Sequence, residues 1–191
     1  HVLSLLQHLN KTITAQLVCF RDGPFAEEAR SLGIPTKIMG GNHIFKIRRQ
    51  LAEYIRQEGF QLIHCHGSRA NMIGALLRRL TGLPVVTTVH SDYKIDYMGR
   101  PLARCTFGVI NTWALRRLDY RVGVSDAMVD LLISRGFPAD RFYAIYNGID
   151  FTPAPDQGDR LPYLRSLGAD VEADSVVVGI AARLNPVKDM S

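Results

Sequence analysis

Short runs of β-branched and apolar residues alternate with segments of helical period along most of this chain. Residues 13–20, 35–39, 61–65, 85–89, 120–124 and 141–146 have the length and composition of strands;. Between them, 25–32, 44–58, 69–80 and 125–134 place apolar residues three and four positions apart, as helices with one buried face do;. In 44–58, Ile44, Ile47, Leu51, Tyr54 and Ile55 form the apolar stripe, and Lys46, Arg48, Arg49, Glu53 and Arg56 fall on the opposite side. Residues 1–9 read as the tail of a further helix, with Leu3, Leu6 and Leu9 on one side. Strands that alternate with helices in this way predict an α/β fold, a doubly wound parallel sheet covered by helices.

The run 85–89 carries no charge, which suits a strand buried on both faces;. It stops abruptly at His90, Ser91 and Asp92. Open α/β sheets bind ligands just outside the carboxyl ends of their strands, so His90 is a candidate for acid/base or hydrogen-bonding work there. Its plain alternative is a strand-end histidine satisfied by backbone groups. The neighbouring strand runs into His66-Gly67-Ser68, with Ser68 placed to cap a helix that starts at Arg69;. His64 and His66 are two residues apart and share a strand face, so with His90 they also suggest a three-histidine metal site, although no carboxylate pattern supports one;. Residues 93–121 are the longest stretch without a strand signal, either a loop over the site or a plain connection, with Ile110, Trp113, Ala114 and Leu118 spaced as a helix face;.

The composition then shifts. Residues 152–159 (TPAPDQGD) read as an interdomain linker, 161–168 as a short helix, and 175–182 (SVVVGIAA) as a fresh strand followed by Arg183, Pro186 and Lys188;. A strand after a linker predicts a second α/β domain cut off soon after it begins. With His1 in place of Met at the start, both ends look cut from something longer.

Of the 191 residues, 47% are apolar and 21% charged, an ordinary globular balance;. The net charge of +5 is spread over helical segments and forms no basic block, which argues against nucleic acid;. The basic face of 44–58 suits solvent or peripheral contact with anionic lipid. Cys19, Cys65 and Cys105 form no C-x-x-C pair, and two lie in apolar strands, which fits reduced thiols in the cytoplasm;. No apolar run reaches membrane-spanning length, and no signal peptide is visible;. Gly40-Gly41 is no phosphate loop, because neither G-x-G-x-x-G nor a G-K-[ST] ending surrounds it;.

Four stretches, VVTTVHSD, VGVSDAM, YNGIDF and VGIAARLNPVK, occur in this order over nearly the whole chain. Together they resemble the retaining nucleotide-sugar glycosyltransferases of the GT-B fold, family 4. The resemblance implies an acceptor-side Rossmann-like domain at 1–151, a linker at 152–174, and at 175–191 the start of a nucleotide-sugar-binding domain. It implies a catalytic role for His90, donor-diphosphate binding by Arg183 and Lys188, and no metal or other cofactor. His66, Ser68 and Arg69 stand at the neighbouring strand end as candidates for the acceptor. The expected partners are the nucleotide-sugar and its acceptor, with peripheral membrane contact as a further option and no nucleic acid, and the expected location is the cytoplasm, with the inner face of the cell membrane as the alternative within it. Two family features are missing, the glycine-rich loop expected before His1 and the paired glutamates expected after Ser191, so this stretch alone is expected to be inactive. The rival readings are a nucleotide-sugar epimerase of similar architecture and a non-catalytic α/β module that contacts membrane or polyanion.

Overall fold

The structure, a computed structural model, describes residues 1–41, 43–92, 94, 106, 108–148 and 161–178. Its strands all pair in parallel. β1 (Leu17–Cys19) lies beside β2 (Thr36–Ile38), and β3 (Ile63–His66), β4 (Val85–Val89), β5 (Tyr120–Gly123) and β6 (Phe142–Ala144) form a four-stranded sheet in that order. Helices occupy the connections: α1 (Val2–Leu9), α2 (Pro24–Ser31), α3 (Ile44–Glu58), α4 (Ser68–Thr81), α5 (Val109–Leu115) and α6 (Asp126–Ser134), then a 3-10 turn at Ala139–Arg141. The chain divides into two compact units, 1–148 and 149–191. In the second, the described residues contain one helix, α7 (Leu161–Ser166).

The parallel α/β architecture follows the periodicity of the sequence: each of the six strand runs between residues 13 and 146 contains a strand, and the helix at 44–58 is found where the pattern puts it. Four details differ. Run 13–20 shortens to Leu17–Cys19, because the Asn10 side chain accepts the Ala15 N–H at 2.8 Å and holds the preceding residues in a turn, leaving Ile13 exposed. Run 61–65 slides forward to Ile63–His66 and so takes in His66, which pairs with Thr88. In α5 the buried stripe is Asn111, Ala114 and Leu115, continued by Leu118, and Ile110 and Trp113 face outward. Trp113 instead lies under the Arg117 guanidinium, 4.3 Å from its ring centre. Residues 175–178 form no strand, and Val176 and Val178 are exposed. The rest of that run, the proline-rich stretch at 152–159 and most of 93–107, lie outside the described residues.

Two apolar clusters hold the sheet. Cys65, Val85, Val89, Ala114, Leu115 and Leu132 pack on one side, and Ile47, Leu51, Ile55, Ile73 and Leu77 join α3 to α4. Each fully buried Leu or Ile contributes about 1.5–3 kcal/mol. Helix α4 approaches the sheet at Gly74, where a methyl group would lie 2.5 Å from Cys65 Sγ and 3.1 Å from Val85 Cγ1. The first strand residues of the site are thereby clamped from one side. Asp119, just before β5, accepts the Arg78 guanidinium at 2.8 Å and the Val85 N–H at 3.0 Å, which ties the far end of α4 to the start of β4. Both ties fix where β3, β4 and α4 end relative to one another, and those ends build the site.

Candidate functional site

β3 and β4 run side by side, so their carboxyl ends deliver His66 and His90 to one edge of the sheet. His66 Nδ1 lies 3.1 Å from His90 Nε2, close enough for one ring to donate and the other to accept. His64 stacks on His66 with ring centres 4.4 Å apart, and its Nε2 meets the Thr88 hydroxyl at 2.8 Å. The His1 ring meets His90 edge-on at 4.9 Å. Backbone pairing of parallel strands thus produces a column of imidazoles, as the two-residue spacing of His64 and His66 predicts.

Stacked imidazoles disfavour a charge on any one of them. Burial lowers the pKa of His66 to about 3, with further opposition from His64 and His90. His64 and His90 each keep some surface in solvent, yet loss of hydration around the ring lowers both, aided by His90 for His64. The site therefore carries neutral imidazoles at pH 7. Below the unfolded value of 6.5 the unfolded chain takes up protons that folded His66 resists, so stability falls as pH drops from there toward 3;. Chemical unfolding at pH 7 and pH 5 is expected to show a loss on the order of 1–2 kcal/mol that His66→Gln largely removes. An unchanged pH dependence in that variant would assign the effect to other groups.

The arrangement does not suit a metal. His66 and His90 direct ring nitrogens at each other and His64 is stacked, so their lone pairs do not converge on one point;. Among the described residues no group of three His, Cys, Asp or Glu side chains is placed to hold a metal ion.

Ser68 is the first residue of α4, not its cap. Gly67 holds the cap position with φ of +86°, a conformation few other residues adopt, and no side chain caps the helix;. Ser68 and His90 line a cavity of about 80 Å³ with Thr88, Asn71 and Asn111. Below it runs a buried polar chain. The Thr87 hydroxyl donates to Asn71 Oδ1 at 2.6 Å, and the Asn71 amide donates to Asn111 Oδ1 at 3.0 Å. Neither asparagine was singled out by the sequence. The available signal was an amide on the inward stripe of each of two apolar helices.

Arg69 turns away from this cavity. Its guanidinium donates to the Gly41 carbonyl at 3.3 Å and lies over the Phe20 ring, at the end of β1. Asp92 is not available as an acid. Arg135 grips both its oxygens, at 2.5 and 2.6 Å, and that hydrogen-bonded pairing holds its pKa below the usual range. Arg183 and Lys188 lie outside the described residues.

Comparison with known proteins places this geometry in context. The family described as Glycosyltransferase Family 4 matches residues 1–152. The chain is 25% identical over 201 residues to the Escherichia coli UDP-Gal:alpha-D-GlcNAc-diphosphoundecaprenol alpha-1,3-galactosyltransferase, covering 94% of this chain and 48% of that protein. It is also 25% identical over 208 residues to alpha-maltose-1-phosphate synthase of Mycolicibacterium smegmatis, covering 100% of this chain and 50% of that protein. The fold resembles that of Anabaena HepE in complex with UDP-glucose, at a TM-score of 0.67 and 19% identity over 87% of this chain and 45% of that one. The chain thus spans about half the length of the curated relatives it matches.

Proposed function

The chain belongs to glycosyltransferase family 4, and from that premise we propose that it forms the acceptor-side half of a longer enzyme that moves a sugar from a nucleoside-diphosphate sugar to an acceptor, with retention. The observation that carries this reading is the paired His66 and His90 beside the open end of α4, at the carboxyl edge of a parallel sheet;. His90 orients a reacting hydroxyl, and His66 and Ser68 receive the acceptor. Arg69 contributes from the β1 side. Both curated relatives have names that contain a phosphorylated sugar, GlcNAc-diphosphoundecaprenol and maltose-1-phosphate. That supports a phosphorylated glycosyl acceptor for this chain as well.

Arg183 and Lys188 complete the reading on the donor side. Charge develops on the departing diphosphate, and a guanidinium fork with a nearby ammonium stabilises it. Pro186 between them restricts the backbone;. The test is transfer from radiolabelled UDP-sugars to glycosyl phosphates by the full-length protein. Sugar transfer is expected, and Arg183→Lys is expected to lose about tenfold or more because a lysine cannot reproduce the bidentate contact. Release of free sugar without transfer, or an epimerised donor, would refute the reading.

We also propose peripheral contact with anionic membrane through α3, at the cytoplasmic face. Phe45 is exposed beside Lys46, and the Arg48 guanidinium lies over its ring. Two of the four cations have partners within the chain, since Arg49 pairs with Glu53 and Arg56 donates to the Leu80 carbonyl. The contact is therefore weaker than four cations at about 1 kcal/mol each would give. None of the described helices is long and apolar enough to cross a membrane. In vesicle sedimentation, binding to anionic vesicles at low salt is expected to fall in Lys46→Glu. Equal pelleting with neutral vesicles would remove the idea.

A further inference from the structure

The histidines at the ends of β3 and β4 meet nitrogen to nitrogen. His66 Nδ1 is 3.1 Å from His90 Nε2, the ring centres stand 5.4 Å apart, and the planes are tilted by 27°. That separation is close to the largest that such a contact between two five-membered rings permits. The rings therefore lie edge to edge, and each nitrogen points along the line that joins them, the alignment a hydrogen bond prefers;. A neutral imidazole has one donor nitrogen and one acceptor nitrogen, so the contact can run in two directions.

In one direction His66 donates, and both rings carry their proton on Nδ1. In the other His90 donates, and both carry it on Nε2. A histidine side chain in water favours the Nε2–H form, and a hydrogen bond made by the other nitrogen is what overrides that preference. The second direction gives both rings the favoured form, and the first gives it to neither. Among the described residues, neither ring makes a further hydrogen bond that would reverse the choice. His64, stacked on the other side of His66 at 4.4 Å, helps burial to keep His66 uncharged, so its Nδ1 retains a lone pair at neutral pH. His90 lines the cavity and His66 does not, so with Nε2 turned to His66, Nδ1 is the His90 nitrogen left for the cavity.

We propose that His66 is a positioning residue that fixes the proton of His90 on Nε2, so that His90 presents an Nδ1 lone pair to the cavity and accepts a hydrogen bond there from a hydroxyl. A phosphate oxygen only accepts and finds no partner at that nitrogen. By the function proposed above, on which this last assignment rests, the hydroxyl is that of the acceptor sugar. His66 keeps its Nε2–H as a donor at the open strand end, where it receives another part of the same acceptor.

Long-range nitrogen-proton correlation spectra of the imidazole rings in the 191-residue chain test the proposal at pH 7 without any need for transfer activity. They separate protonated ring nitrogens from those with a lone pair. His66 and His90 are each expected to show a protonated Nε2 and a lone pair on Nδ1. A proton on Nδ1 of either ring, or on both nitrogens of His90, would overturn the proposal. His66→Asn keeps an acceptor where Nδ1 stood, and His66→Leu keeps none. Neither retains Nε2, so the difference between them reports on Nδ1 alone. In His66→Leu the two His90 nitrogen signals are expected to average toward each other, and in His66→Asn to stay close to those of the native chain. In the full-length enzyme His66→Leu is expected to turn over about fivefold more slowly than His66→Asn, the effect of one neutral hydrogen bond. Equal rates in the two variants, or an unchanged His90 spectrum in His66→Leu, would overturn the positioning role. The expected tautomers in a full-length protein that transfers no sugar would refute the proposed function and leave the histidine pairing intact.

Discussion

His90→Ala is expected to lower turnover of the full-length enzyme by about tenfold or more, toward the ~10²-fold that a positioned acid/base group contributes, while leaving the fold intact. The two halves of this expectation come from different parts of the structure. β4 is anchored upstream of the histidine, with Val85 fully buried and Thr87 and Val89 packed in the sheet. His90 itself is exposed, one residue past the strand, so truncating it removes no core contact. What it does remove is a neutral imidazole held by His66 at 3.1 Å and facing the cavity. A ring in that position can orient a hydroxyl or exchange a proton at neutral pH, and a methyl group can do neither. Steady-state transfer rates and thermal midpoints measured on the same preparation check both halves. His90→Gln separates the two tasks, because an amide still orients a hydroxyl yet does not titrate. Wild-type turnover in the alanine variant would leave His90 with a structural role only.

The sequence announces His90 because β4 is apolar and β-branched throughout, and the change at its end is abrupt. Helix α3 is equally legible, since its inward and outward positions differ in charge as well as in hydropathy. Periodicity fails where the inward residue is polar. In α5 the apolar Ile110 and Trp113 point outward, and Asn111 points inward, because a partner 40 residues away, Asn71, receives it. Such pairing is tertiary, and neither helix shows it alone. Ser68 illustrates a different limit. A serine before a helix is a good cap, but here the strand extends through His66 and brings the turn forward, so glycine takes the cap position. Ser68 and His90 are thus legible in the sequence one at a time, and their convergence with Asn71 and Asn111 on one cavity is not.

Arg121 is the residue whose loss is expected to cost most stability. It reads in the sequence as an ordinary strand position, yet it is 2% exposed and among the largest fully buried side chains. Its guanidinium reaches the carboxyl end of α5, where Nε donates to the Leu115 carbonyl at 2.8 Å and Nη2 donates to Leu115 and, at 3.0 Å, to Leu118. The Phe137 and Phe142 rings flank it at 5.3 and 5.6 Å. Burial, with the charge of Arg141, brings its pKa down to about 10, so it remains charged at neutral pH. Replacing a buried ion by an apolar side chain is often neutral when every partner leaves with it. Here the partners are backbone carbonyls, which stay. Two carbonyls left without donors cost about 1–3 kcal/mol each, partly offset because the buried Nη1 has no partner at present;. Arg121→Met is therefore expected to destabilise the chain by roughly 2–5 kcal/mol in urea unfolding. Arg121→Lys should fall between, since an ammonium keeps the charge without the planar fork. Because α5 also carries Asn111, the methionine variant is expected to broaden the Asn111 amide signal before it unfolds. A loss below about 0.5 kcal/mol, the level of a neutral surface change, would show that solvent or a rearranged loop satisfies those carbonyls and that Arg121 is not what fixes α5 to the sheet.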